Sequence, residues 1–390
     1  MCVFACVRVC VYLFKYWCHV VSRMPCHVYI VYLRGNDISR RIVPRGSPPL
    51  KSTTIRSFNE EHTQSLSMPR SRMSGDLSLS QAGSCRRPFT WVGIENQGTT
   101  CYVSCCLHAL YANALYRTSL TMIDQRPIDV ELKTVFKALT ECNRAIDVRA
   151  MTRRVNIRPG QQDACEFLMR ILESTNPVFG GFEEHQSKSL NGILETGTTR
   201  APFAVLPIAL GDVSTLLQCL REYFSPTDIP NVDFGGGRRF DAKRRCSLVL
   251  EELPITFAVQ LKRFNAMGKN NNACNIPTNL DMLDICPRDV PIASTFETKY
   301  SLGAIIMHGG ALNRGHYWTF VRVRVPTSET PNELVWMEFN DERVCTRTAS
   351  HVLDQARGDG IEDHSAYIVM YHRIDRVDDI LRPPWSEPRA

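Results

Sequence analysis

The stretch NQGTTCYVS, Asn96–Ser104, sets a cysteine behind Gly-Thr-Thr and ahead of an apolar-periodic segment running from Tyr102 to Leu115. Val103, Leu107, Leu110 and Ala114 recur at helical spacing, so a helix is expected over 102–116 with Cys101 at its first turn. A helix N-terminus carries partial positive charge and unpaired N–H groups, and both stabilise a thiolate. Cys101 is therefore a candidate nucleophile. Such a nucleophile needs a base, and the base needs a group that orients it.

Ten histidines are available. His19, His27 and His62 lie in the N-terminal arm, His185 in a polar stretch, and His351, His364 and His372 have no glycine context. His108 sits two turns along the Cys101 helix, about 10 Å away at a rise of ~1.5 Å per residue, too far to be the base. His316 follows MHGGALNRG and opens the strand-like run YWTFVRVRV, where Gly315 keeps a bulky neighbour out of the way of its ring. Further on, WMEFNDERV closes a strand on Asn340 and Asp341, and an antiparallel hairpin brings these beside His316. Either one can accept from an imidazole N–H and fix the tautomer.

The rest of the chain sorts into a helical half and a sheet half. Residues 129–146 and 161–173 (QQDACEFLMRILE) have helical periodicity. From about 199 the texture changes to short apolar runs between Gly, Pro and Asn: FAVLPIAL, CSLVLEE, ITFAVQLKRF, SLGAIIMHGG, HYWTFVRVRV, LVWMEF and AYIVMYH. This order implies an α+β fold with a groove where the halves meet.

Charge is unevenly spread. Residues 1–88 hold 13 Lys/Arg against 4 Asp/Glu, a net of +9, and the remainder holds 33 against 36, a net of −3. The folded part has no electrostatic basis for binding nucleic acid, and the arm reads as a solvated basic segment. Residues 35–88, rich in Ser, Arg and Pro, are expected to be a disordered linker. The apolar, Cys-rich stretch 1–34 is interrupted by Arg8 and Lys15, which shortens its uncharged runs well below the ~18–20 residues of a membrane span. It is expected to be an extension, with an anchor or targeting role of residues 1–20 as the alternative and Met24, Met68 and Met73 as alternative starts. Sixteen cysteines without a CxxC pair fit free thiols in a reducing compartment, and no metal site is expected.

Six blocks in collinear order carry a family resemblance: VGIENQGTTCYVS, QQDACEFLMRILE, LPITFAVQLKRFN, YSLGAIIMHGGALNRGHYWTFVR, WMEFNDERV and AYIVMYHR. Together they resemble the ubiquitin-specific proteases, which are cysteine deubiquitinases, over residues 92–373. The resemblance implies a papain-like α+β fold shaped as a hand within a catalytic domain 89–375: a helical thumb (92–180), β fingers (181–252) and a β-rich palm (253–373), then a short tail, 376–390. It implies that Asn340 orients His316, with Asp341 as an auxiliary partner, and that Asn96 donates to the oxyanion. It also implies that Asp163 and Glu166, three apart on one helix face, hold the arginines of the ubiquitin tail. His308 and Tyr317 would flank the channel for its two terminal glycines.

The implied reaction is hydrolysis of the bond after the C-terminal glycine of ubiquitin through a thioester on Cys101. The expected partners are ubiquitin and ubiquitinated proteins, with a monomeric enzyme, no cofactor, and a cytoplasmic or nuclear location. Two departures stand out: Ser104 and His108 replace the Asn and Gln usual after the cysteine, and the fingers hold only Cys219 and Cys246 where zinc-binding CxxC pairs are usual. The competing readings are a weak or inactive ubiquitin-binding module on the same fold, and an unrelated papain-like peptidase of unfolded substrates. The second lacks the tryptophan expected soon after the cysteine.

Overall fold

The computed structural model describes residues 90–386, apart from short internal segments at 123–125, 159, 173–175, 192–195, 212–214, 266–267, 287–295, 312–313, 326–332 and 359–362. The expected extension 1–34, the linker 35–88, the alternative starts and residues 387–390 of the tail lie outside the described residues.

The helical layer is built from α1 (Cys101–Ala112), α2 (Ala114–Met122), α3 (Pro127–Glu141), α4 (Arg149–Arg154) and α5 (Ala164–Ile171). All twelve residues of α1 are buried. A helix buried all round has no polar stripe, and its environment is a core on every side. The single helix expected over 102–116 divides at Asn113. That residue takes extended backbone, its Oδ1 accepts from Tyr116 N at 3.0 Å, and its Nδ2 donates to Thr256 Oγ1 at 2.9 Å. One asparagine thus ends α1, begins α2 and ties both to the sheet. α3 opens on Pro127, where the missing N–H costs nothing. Buried Asp129 in its first turn is gripped by Arg126 through two bonds, at 2.8 and 2.7 Å.

The main sheet has eight strands. β3 (Val205–Ala209), β6 (Thr256–Lys262), β9 (Asn279–Asp281), β10 (Lys299–Gly309), β11 (His316–Val325), β12 (Glu333–Asn340), β13 (Arg343–Arg347) and β14 (His364–Arg373) pair in the order β13-β12-β11-β10-β14-β6-β3, with β9 also on β10. Only β3 with β6 is parallel. Side chains alternate across this sheet into two cores. Ala304, Ile306, Tyr317, Val321, Ile368 and Met370 face the helical layer. Leu302, Ile305, Met307, Phe320, Val369 and Tyr371 face the other side, which is covered by α6 (Leu216–Tyr223) and α8 (Ala349–Arg357). A bulge at Gly303 shifts the register of β10 against β14. A Cβ there would lie 2.1 Å from the His372 ring, so only glycine lets the ring sit in the bulge.

A second, four-stranded antiparallel sheet, β2-β1-β5-β4, uses β1 (Gly181–Ser189), β2 (Thr196–Phe203), β4 (Thr227–Asp233) and β5 (Arg239–Leu248). Within the expected fingers, 181–252, β3 instead belongs to the eight-stranded sheet and α6 packs on its far side. The expected tail, 376–390, needs correcting as well. Residues 377–380 form a short helix, α9 (Val377–Ile380), with Ile380 and Leu381 buried. Arg117 donates to Arg382 O at 2.8 Å, and Trp385 packs edge-on to Trp91 at 6.5 Å. Apolar groups among prolines and charges give no periodic signal, yet two of them are buried and Trp385 packs against the core of the helical layer. Among the described residues no helix is long and apolar enough to cross a membrane.

Candidate active site

The loop before α1 is wound by its own side chains. Thr100 N donates to Asn96 Oδ1 at 3.3 Å, and Gln97 N to Thr100 Oγ1 at 3.0 Å. This delivers Cys101 to the first turn of a helix that lies against β11. His316 is the first residue of β11, and the register Thr319↔Phe339 sets Asn340, the last residue of β12, alongside it.

The three side chains meet. His316 Nε2 hydrogen-bonds Asn340 Oδ1 at 2.7 Å, and Cys101 lies near enough for its sulfur and the His316 ring to shift each other's proton affinity. With Nε2 engaged by Asn340, Nδ1 is the nitrogen left for the sulfur. Trp318 stacks on the imidazole at 6.0 Å and 20°, holding the plane of the ring. Gln161 Nε2 donates to Cys101 Sγ at 3.6 Å.

Electrostatics favour a thiolate–imidazolium pair. Burial pushes the Cys101 thiol up, but hydrogen bonds from His316, the Tyr317 backbone and Gln161, with the charge of His316, outweigh it and leave the thiol below its ordinary value. The hydrogen bond to Cys101 raises His316 to about 9; burial opposes the rise, while the Asn340 bond and the charges of Cys101 and Asp341 add to it.

Asp341, expected as an auxiliary partner of His316, faces both that ring and Asn96. Its Oδ2 is 3.8 Å from His316 Nε2 but accepts from Asn96 Nδ2 at 2.8 Å. Asp341 also adopts φ 53°, an uncommon value for a non-glycine residue, and its carbonyl accepts from Ile94 N at 3.0 Å. Glu342 Oε1 adds a bond from Asn96 N at 2.8 Å. The Asp341-Glu342 turn thus clamps the Asn96 loop to the sheet. Gly93 permits the approach: a Cβ there would lie 2.3 Å from Asp341 O. An amide nitrogen carries two hydrogens, so Asn96 keeps one for another acceptor.

Asp163 and Glu166, expected on one helix face, stand at the N-cap and in the first turn of α5. Asp163 is the N-cap of α5, its Oδ1 accepting from Cys165 N at 2.6 Å and Glu166 N at 3.1 Å, while Oδ2 takes a short hydrogen bond from Tyr367 OH. Asp-x-x-Glu at a helix start is capping spacing, a signal the sequence already carried. Glu166 lies exposed in the first turn.

His308 and Tyr317 do meet, rings 4.6 Å apart, and both are fully buried. Burial, with Lys269 nearby, lowers His308 to about 3, so its ring is neutral. Gly315 turns out to serve this ring as well as His316: a Cβ at 315 would lie 2.0 Å from His308 Nε2. His108 stacks on Phe339 at 4.2 Å and 18°, directly beneath the strand end that carries Asn340, and burial lowers it to about 3. It is a support for that strand, in keeping with its exclusion as the base.

Gln161, Trp318 and Glu342 escaped sequence reasoning. Gln161 opens the QQD block, and the other two adjoin His316 and Asp341 within two residues, so each lay beside a residue already singled out.

A cysteine lowered at a helix N-terminus, a raised histidine on a facing sheet and an amide bonded to it form the arrangement that thiol chemistry calls for, split between a helical and a sheet layer. The model of the ubiquitin carboxyl-terminal hydrolase family matches residues 92–371, and the chain belongs to that family. Its fold is accordingly the papain-like hand of that family, with helical thumb, β fingers and β-rich palm. It is 24% identical over 322 residues to ubiquitin carboxyl-terminal hydrolase 7 of Caenorhabditis briggsae, a match covering 75% of this chain and 28% of that protein. It is 25% identical over 324 residues to the Caenorhabditis elegans protein of the same name, again 75% and 28%. Ubiquitin carboxyl-terminal hydrolase 15 of Schizosaccharomyces pombe is 24% identical over 343 residues, covering 76% and 29%. The chain thus spans less than a third of the length of these relatives.

Proposed function

We propose that this chain is a thiol-dependent deubiquitinase that hydrolyses the isopeptide or peptide bond after the C-terminal glycine of ubiquitin. The observation that carries the reading is the chain of contacts from Cys101 through His316 to Asn340 Oδ1 at 2.7 Å, with the thiol lowered and the imidazole raised.

The Cys101 thiolate attacks the glycine carbonyl. The developing oxyanion takes the second hydrogen of Asn96 Nδ2, whose direction Asp341 fixes, together with backbone N–H groups at the start of α1. His316, protonated, gives its proton to the leaving lysine amine, and the same ring then draws a proton from the water that opens the thioester. Asn340 keeps the ring in line throughout. Recognition of the tail's arginines falls on Glu166, because the Asp163 carboxylate is engaged by the helix cap and Tyr367. His308, Tyr317 and Gly315 back the glycine channel from inside, where their packing sets its width.

A ubiquitin derivative with a C-terminal electrophile tests this directly. A covalent adduct with the whole chain that is lost in Cys101→Ala is the expected result. Ubiquitin binding without an adduct would replace the hydrolase by a receptor on the same fold. Cleavage of short unrelated peptides in preference to a ubiquitin fluorogenic substrate would make it a peptidase of unfolded chains.

A further inference from the structure

The finger sheet brings together three side chains that the catalytic reading does not use. Glu183 and His185 are two apart on β1 and point to the same face. Cys246 on β5 lies directly opposite His185 in the antiparallel register. Directly opposed residues on one face have Cβ atoms only about 4.5–5.5 Å apart, so strand pairing alone forces the three together.

The distances are those of a coordination shell. Cys246 Sγ is 3.4 Å from Glu183 Oε1, and His185 Nε2 is 3.9 Å from Glu183 Oε2. One ligand atom from each residue falls within 4.8 Å of the others. Ligands bound to zinc at about 2.0–2.3 Å in a tetrahedron stand roughly 3.2–3.8 Å apart, so a small contraction closes this set on an ion. Glu183 is 8% exposed, so its carboxylate is held out of bulk water. Tyr223 OH, from α6, donates to Glu183 Oε1 at 2.9 Å and fixes the carboxylate as an outer-shell partner does. His185 turns Nε2 toward Glu183, so this is the ring nitrogen that would coordinate.

We propose that Glu183, His185 and Cys246 form a zinc-class metal site at the root of the fingers, with one position left for water. The ligand set of thiolate, imidazole and carboxylate suits a borderline divalent ion and disfavours magnesium and calcium, which take oxygen ligands. The expectation of metal-free fingers rested on the lack of CxxC pairs. This site needs none, because cross-strand pairing supplies the neighbour that CxxC spacing otherwise supplies along the chain. A thiol coordinates as its thiolate, so binding releases a proton and weakens in acid. Bound metal would cross-link β1 to β5.

The test titrates the full chain, carrying Cys101→Ser so that the catalytic thiol cannot compete, with cobalt and zinc. The expected result is one equivalent of cobalt with a sulfur-to-metal charge-transfer absorption that zinc displaces. That band should vanish in Cys246→Ser and survive in Cys286→Ser, a thiol lining the same neighbouring cavity. Tyr223→Phe should weaken binding about 10-fold or more. Glu183→Gln, which keeps shape, should weaken binding while leaving the metal-free unfolding midpoint nearly unchanged. A band that persists without Cys246, or no saturable binding in the parent, overturns the proposal. Neither result bears on the hydrolase reading, since these residues lie outside the catalytic set.

Discussion

The two sheets of this protein are built on different terms. The eight-stranded sheet is buried on both faces at its centre, where β10 and β14 are close to continuous buried runs. The finger sheet is thin and polar: β2 and β4 are mostly exposed, and only parts of β1 and β5 are covered. The base and its orienting amide sit at the ends of strands whose positions are over-determined by two cores. Nothing comparable fixes the far strands of the fingers. Rigidity has been placed where the reaction needs sub-ångström alignment, and surface variety where a protein partner would be gripped.

The sharpest way to break that contrast is chemical. Cys101→Ala should abolish turnover of a ubiquitin fluorogenic substrate, and measurable residual hydrolysis would mean that the rigid cleft is not the reaction site. Next in size, Asn96→Ala should lower kcat by about 10²–10³, the usual effect of losing one oxyanion donor. Asp341→Ala should follow it in kcat at nearly constant KM, because Asp341 acts through Asn96. If Asp341→Ala instead shifted the pH profile strongly, its 3.8 Å contact with His316 would be the more important one.

The pH profile itself should be bell-shaped. Its acid limb falls below the ordinary thiol value, as the Cys101–His316 pair takes up a proton at sulfur. Its alkaline limb lies near 9, as His316 loses the proton owed to the leaving amine. Stability gives the smaller tests. Ile306→Ala, in the doubly covered sheet, should cost about 2–5 kcal/mol in denaturant unfolding. Thr198→Ala, exposed on β2, should change it by less than about 0.5 kcal/mol. Equal costs would erase the distinction between the sheets.

The sequence already spelled out much of this. Cys101 reads from helix-start chemistry and His316 from a glycine-rich turn, while the strand end offers Asn340 or Asp341 and only the family resemblance chooses between them. What escaped it was long-range or double-duty. Asn113 reads as an ordinary polar residue in a helical run, and its role as a break depends on Thr256, 143 positions away. Asp163 reads equally as a charge on a face or as a cap, and Tyr367 from β14 settles the matter by occupying its second oxygen. The bond from Asp341 to Asn96 spans 245 positions and has no local signature. Trp385 looks like a stray aromatic in a proline-rich end until Trp91 is seen beneath it.

Asn340 and Asp341 are consecutive, yet one holds the His316 ring and the other the Asn96 amide. Successive residues on a strand diverge; the left-handed backbone at 341 folds the Asp341 carboxylate back toward the same cleft. Any sway of that hairpin tip therefore carries both halves of the machinery in phase.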